Sequence, residues 1–185
     1  MNIRPASTRD FPAMWPIFQH IVATESSYMF AADTSEATAC DYWFGPGVAS
    51  WVVTEGEAIV GMYKLVDNQR DLGSHVANAS FMVDPARCGR GLGRLLGLHC
   101  LQQAREAGYL AMQFNLVVST NTAAVRLWKS LGFAIVGTLP QVFAHKTLGL
   151  VDAYVMHRFL DGPDGAAPAP PAAHAGQAGA QAVSG

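Results

Sequence analysis

The chain has 185 residues, 50% of them hydrophobic and only 14% charged, the composition of one well-cored domain able to bury about two-thirds of its unfolded surface. A formal net charge of −2 excludes a general attraction to nucleic acid or to an anionic membrane, so electrostatic recognition must be local. No apolar run approaches the ~20 residues of a bilayer-spanning helix, and Met1–Pro5 begins no signal-peptide core.

In chain order, Met1–Pro5 reads as a short strand. Ser7 or Thr8 can cap a helix to about Glu25, with Phe11, Met14, Trp15, Phe18, Ile21 and Val22 at helical spacing. Pro12 suits a first turn, whereas Pro16 predicts a kink or a break. A second helix is expected over Ser35–Phe44. Ser50–Thr54 and Ala58–Leu65 form a hairpin across Glu55-Gly56-Glu57. Ala77–Val83 is a strand, Gly91–Glu106 a helix stopped by Gly108, and Met112–Val118 a further strand. Thr122–Leu131 is a helix capped by Asn121 and ended by Gly132. Phe133–Val136 and Val151–Arg158 complete a sheet. Residues 161–185 are mostly Ala, Gly, Pro and Gln, with little to bury, and are expected to be a disordered tail. The alternating order implies an α/β domain over residues 1–160.

Three cysteines, Cys40, Cys88 and Cys100, are odd in number and lack paired metal spacing, which suits reduced thiols in a cytoplasmic protein. His20, His75, His99, His145 and His157 suggest no metal centre. His99 shares its helix face with Leu92, Leu95, Leu96 and Cys100, as a core or boundary histidine would.

Residues 83–96 carry the most chemistry. The strand stops at Pro85, Gly89, Gly91 and Gly93 follow at alternate positions, and an apolar helix starts at Leu92. That order places bare backbone N–H groups at a helix N-terminus, where they and the helix dipole favour an anion. Arg87, Arg90 and Arg94 add positive charge around the same mouth. The spacing is neither the dinucleotide fingerprint nor a nucleotide P-loop.

Cys88-Gly89-Arg90-Gly91-Leu92-Gly93 resembles motif A of the GNAT acetyltransferases, Gln/Arg-x-x-Gly-x-Gly/Ala, with Cys88 at the usual Gln or Arg position. Asn121, Ala124, Leu127, Trp128, Gly132 and Phe133 resemble motif B, Asn-x-x-Ala-x-x-Leu-Tyr-x-x-x-Gly-Phe. The resemblance implies the GNAT fold: an α/β (α+β) domain with an open, mixed, mostly antiparallel sheet and helices on both faces. Two parallel central strands, here Ala77–Val83 and Met112–Val118, splay apart. It also implies acetyl-CoA as cosubstrate, its pyrophosphate on the loop and its pantetheine along the first splayed strand. The cofactor residues are then Met82, Val83, Cys88, Gly89, Arg90, Gly91, Leu92, Gly93, Arg94, Asn121, Ala124 and Trp128. Many members carry Tyr where Trp128 stands, as the acid that protonates the leaving thiolate. An indole is no useful acid, but a thiol of pKa near 8.5 can leave as thiolate. Trp128 is therefore expected to pack the cofactor arm.

A narrower likeness runs over residues 78–153. Asn78, the run Phe114-Asn115-Leu116-Val117, and then Thr120, Asn121, Trp128, Phe133, Gly137, Pro140 and Val151-Asp152-Ala153 resemble acetyltransferases of proline analogues such as azetidine-2-carboxylate. In those enzymes two asparagines, matching Asn78 and Asn115, face the acceptor. The implied reaction is direct attack of a small amine, an amino acid or its analogue, on the thioester. Backbone N–H near Met82–Val83 would hold the oxyanion, and the amide oxygens of Asn78 and Asn115 would position the amine. Glu25 is the first candidate base, with His75, His145 and Asp152 as rivals, and a water chain serves equally; transfer without a dedicated protein base is expected. Alternatives are acetylation of a protein N-terminus or lysine, and a CoA-binding module without turnover. The fold often dimerises, so a homodimer is compatible with the resemblance.

Overall fold

A computed structural model describes residues 1–160, so the expected tail at 161–185 lies outside the described residues. Seven strands are described: β1 (Asn2–Pro5), β2 (Ala49–Glu55), β3 (Ala58–Asp67), β4 (Val76–Val83), β5 (Ala111–Val118), β6 (Ala134–His145) and β7 (Gly149–Phe159). They join one sheet in the order β1-β2-β3-β4-β5-β7-β6. Neighbours are antiparallel except β4 and β5, which run parallel and pair only through Val76↔Ala111 and Ala77↔Met112. Beyond that point the two central strands diverge, as the resemblance implies.

Period-two alternation divides the strand side chains between two cores. On one face α1 (Phe11–Ala23) and α2 (Glu36–Phe44) bury Met14, Phe18, Val22 and Trp43 against Val52, Met62 and Met82. On the other, α3 (Leu92–Glu106) and α4 (Thr122–Ser130) bury Leu96, Cys100, Leu101 and Trp128 against Tyr63, Ala77, Met112 and Phe114. Each fully buried large aliphatic side chain contributes about 1.5–3 kcal/mol, so these faces, not helix propensity, hold the helices on the sheet.

Three expectations need correction. Ser7 begins a 3-10 turn, Thr8–Asp10, and α1 itself starts at Phe11. The helix then runs unbroken through Pro16. Pro16 is exposed, so water can hydrate the carbonyl it leaves unpaired, while the buried residues on the opposite face keep the helix seated. The strand expected over Phe133–Val136 extends to His145. Among the described residues β6 pairs with β7 alone, and an edge position of this kind tolerates Pro140. The register slips between Leu139 and Phe143, where Gln141 takes a positive φ of 51° and its N–H donates to Asp152 Oδ1 at 2.9 Å.

The two helices behind the diverging strands meet at Gly97. A Cβ there would lie 2.6 Å from Leu131 Cδ1 and 3.2 Å from Trp128 Cζ3. Gly97→Val should therefore separate α3 from α4 and lower the urea-unfolding free energy by about 2 kcal/mol. An unchanged unfolding midpoint would show that the helices are not in limiting contact.

Candidate active site

The divergence of β4 and β5 opens a cleft of about 770 Å³. Which backbone groups face it follows from the β3·β4 ladder, in which hydrogen-bonded pairs alternate. Asp84 N–H donates to Val60 O at 3.0 Å and Asn68 N–H to Val76 O at 2.8 Å, which fixes the phase. With the register unbroken from Gly61↔Val83 to Asp67↔Ala77, Asn78, Ser80 and Met82 direct their backbone groups to β3. Ala79, Phe81 and Val83 direct theirs toward the departed β5. Met82 and Val83 both line the cleft, but the amide of Met82 points away from it. The cleft-facing amides are those on either side of Met82, at Phe81 and Val83. The Phe81 pair is held by Tyr28, whose hydroxyl accepts from Phe81 N–H at 3.1 Å and donates to Phe81 O at 2.5 Å.

At one end of the cleft the glycine loop leads into α3. Gly89 (φ 79°) and Gly91 (φ 77°) are left-handed, and Gly91 is the residue from which the helix starts. Beyond its chain neighbours, a Cβ on Gly91 would meet no atom of the described residues within 4 Å, which leaves room there for a ligand. Gly93 serves differently, since a Cβ there would lie 3.1 Å from Leu127 Cδ2 of α4. Cys88, Gly89, Leu92 and Arg94 line the same end. Arg94 Nη1 donates to Ser130 Oγ at 3.2 Å. Arg90 does not line the cleft: it forms a two-point pair with Glu55 of β2, at 2.9 and 3.3 Å. Arg87 lies 2.7 Å from the same carboxylate, yet it lines the cleft. Arg90 and Arg87 together hold the Glu55 carboxyl below its usual range, Arg90 chiefly by hydrogen bonding. The positive charge lining this end of the cleft thus falls to Arg87 and Arg94.

The far wall is α4. Asn121 Oδ1 accepts from Ala124 N–H at 3.1 Å and caps the helix, and both residues line the cleft. Trp128 also lines it, only 8% exposed. Its ring centroid lies 4.8 Å from Phe81 and 4.7 Å from Phe114, which makes it an apolar wall rather than an acid.

The other end of the cleft is neutral. Asn78 and Asn115 line it and meet through a residue the sequence did not single out. Both donate Nδ2–H to Asn68 Oδ1, at 3.0 and 2.7 Å, and Gln113 Nε2 donates to Asn115 Oδ1 at 2.8 Å. Asn68 follows β3, so three chain segments are tied where the splay begins. Tyr42 also lines this end, its hydroxyl paired with Ser80 Oγ. Beneath it lies a second unforeseen residue, Lys64, 9% exposed. Lys64 Nζ donates to Tyr42 O at 2.9 Å and lies 3.2 Å from the centre of the Tyr42 ring.

None of the candidate bases lines the cleft. Glu25 takes a positive φ of 47°, and its carboxylate lies 3.8 Å from Lys146 Nζ. Asp152 accepts from Gln141, and His145 Nδ1 accepts from Thr147 N–H at 3.2 Å. His75 Nδ1 lies 3.1 Å from Leu72 O. His99 is paired with Tyr63 Oη at 2.7 Å, the boundary histidine expected. Among the described residues no three His, Cys, Asp or Glu side chains gather as a metal site, and no helix is long and apolar enough to cross a membrane.

A diverging parallel pair, a glycine loop at a helix N-terminus and a capped second helix enclose one cleft, and the sequence profile of the acetyltransferase (GNAT) family matches residues 13–133. The chain belongs to that family. It is 37% identical over 146 residues to an L-methionine sulfoximine/L-methionine sulfone acetyltransferase of Salmonella typhimurium, covering 77% of this chain and 85% of that protein. An N-acetyltransferase of Schizosaccharomyces pombe is 31% identical over 113 residues, 60% of this chain; the match spans about half (53%) of that relative's length. A GCN5-related N-acetyltransferase from Kribbella flavida superposes with a TM-score of 0.81 at 40% identity, covering 85% of this chain and 96% of that one. The acetyltransferase yncA of Salmonella typhimurium, solved with its cofactor acetyl-CoA, gives 0.77 at 28% identity over 91% and 98%. This GNAT protein is an N-acetyltransferase, and acetyl-CoA is its cosubstrate.

Two predictions follow from the geometry of the acetyltransferase cleft. Gly91→Ala strains a left-handed position by about 1 kcal/mol and puts a methyl into the ligand space, so calorimetry should show acetyl-CoA binding weakened at least about tenfold. Unchanged affinity would remove the loop from the cofactor site. Burial pushes the Lys64 ammonium down to about 8, although the Tyr42 ring face favours the charged form and offsets part of that. Between there and the unfolded value near 10.4, folded Lys64 has released a proton that the unfolded chain retains, so this group makes stability rise with pH. Cys100, Tyr28 and Tyr63, whose ionisation burial opposes, make it fall. Those falls cancel when wild type is compared with Lys64→Met, so the difference in urea-unfolding free energy between the two should change in favour of wild type by on the order of 1–2 kcal/mol from pH 8 to 10. A difference that is flat or moves the other way over that range would contradict this.

Proposed function

We propose that the protein transfers acetyl from acetyl-CoA to the nitrogen of a small amine, an amino acid or amino-acid analogue, by direct attack without a dedicated protein base. One observation carries this reading: the acceptor end of the cleft offers amides, hydroxyls and aromatic rings, with no carboxylate or imidazole among the described residues that line it. A polyamine or a lysine-bearing peptide carries extra cations, and none of those described residues is anionic to meet them. A small amine beside Asn78 and Asn115 finds neutral polar partners and an apolar surround. The relative that acetylates L-methionine sulfoximine and L-methionine sulfone supports an acceptor of the same class.

The reaction then proceeds as follows. The free amine, positioned by the asparagines, attacks the thioester carbon; holding both reactants in one cleft supplies much of the acceleration. The carbonyl oxygen, as it becomes anionic, accepts from a cleft-facing amide of β4; one such donor is worth about 3 kcal/mol. The C–S bond breaks, CoA leaves as thiolate beside the apolar face of Trp128, and the ammonium of the product releases its proton to water. The glycine loop, Arg87 and Arg94 hold the phosphates at the far end.

Thiol release from acetyl-CoA, measured over amino acids, cyclic imino acids, polyamines and short peptides, tests the acceptor class. Release with amino acids or their analogues is expected, and release with peptides alone would overturn the reading. Without a protein base, log kcat/KM for the amine should rise with unit slope and level off at the pKa of whichever amine is used. Glu25→Gln should retain near-full turnover while Asn115→Ala loses it. A shared inflection for amines of different pKa, together with a hundredfold loss in Glu25→Gln, would establish a protein base instead.

A further inference from the structure

Tyr28 lies in the segment between α1 and α2, and its hydroxyl engages both backbone groups of Phe81 on β4. In a continuous sheet those groups would pair with the next strand. Here β5 has diverged, and the phenol takes its place. The ring is half-buried and packs against the α1/α2 core, so the hydroxyl is held over the strand edge rather than hanging free. Phe81 N–H is also a cleft-facing amide, and the Phe81 side chain packs against Trp128 and Phe114, both of which line the cleft. An acyl oxygen that accepts from this N–H must come to about the place where the phenol oxygen now sits. A small swing of the Tyr28 side chain about its Cα–Cβ bond would free the N–H and leave the O–H beside that same oxygen.

We propose that Tyr28 is a catalytic residue, its O–H and the Phe81 N–H forming the donor pair that holds the thioester oxygen during acetyl transfer. The proposal rests on the acetyl-transfer reading above. As the amine nitrogen forms its bond to the thioester carbon, the carbonyl π pair moves onto oxygen, where both donors meet it. The pair returns, the C–S bond breaks and CoA leaves as thiolate. Tyr28 keeps its proton throughout, and the ammonium proton goes to solvent. Burial, with Tyr42 adding to it, raises the Tyr28 phenol far above its ordinary value. A phenol so placed remains a hydrogen-bond donor and is unsuited to giving its proton to a thiolate. It therefore complements Trp128 rather than replacing the acid that Trp128 lacks.

Tyr28→Phe preserves the ring and removes the donor. In infrared difference spectra of the full chain with carbonyl-labelled acetyl-CoA, the bound thioester stretch should move to higher frequency in the variant. With an accepted amine, kcat should fall by about 100- to 1,000-fold, while calorimetry shows acetyl-CoA still bound, which also establishes that the variant folds. An unshifted carbonyl stretch would overturn the proposal, as would unchanged kcat with tighter acetyl-CoA binding, the result for a phenol that merely fills the strand edge. The infrared readout needs no acceptor. A wild type that shifts the carbonyl but acetylates none of the amines would count against the acceptor reading alone.

Discussion

The rest of the structure depends on one constraint: β4 and β5 pair through two residue positions and then part. A strand edge inside a domain leaves unpaired N–H and C=O groups, which are costly unless something satisfies them. Here the phenol of Tyr28 satisfies one pair, and an extended acyl-pantetheine arm has the groups to satisfy others in the same way. The loop after β4 then needs no further device to reach the phosphates. It turns through left-handed Gly89 and Gly91 directly into α3, whose N-terminal amides face the same cleft. Gly93 and Gly97 let α4 lie close against α3, so that Asn121 and Trp128 close the opposite wall.

The two ends of the cleft differ in charge. Two arginines and a helix N-terminus line one end, and asparagines, phenols and apolar side chains line the other. Under the proposed reading, the second end would do little to stabilise an ammonium and so would favour the neutral amine that the reaction requires. Buried Lys64 under Tyr42 would reinforce the same bias, since a nearby cation disfavours a second one. Positioning and preorganised donors would then carry the proposed reaction.

Features governed by local chemistry were legible in the sequence. The glycine loop, the Asn121 cap and the order of the elements all follow from residues close together in the chain. Features that depend on a distant partner were not. Arg90 reads as a phosphate ligand until the β2–β3 hairpin supplies Glu55 to it. Asn68 and Tyr28 belong to no periodic pattern; their partners on β4 and β5 become visible only when the sheet is assembled. Which amide of the Met82–Val83 region faces the cleft depends on the phase of pairing with β3, which composition does not encode. Pro16 misled in the same way. It breaks a helix in isolation, and it is tolerated where its unpaired side faces outward.

The central claim is that the exposed edge of β4 receives the acyl group of acetyl-CoA. Amide resonances of Ala79, Phe81 and Val83, followed by NMR during titrations with acetyl-CoA and with CoA, test it most directly. Both ligands should move Val83, and Phe81 should respond far more to acetyl-CoA than to CoA, while Met82, bonded to β3, moves least. A Phe81 resonance indifferent to the acetyl group would contradict the account.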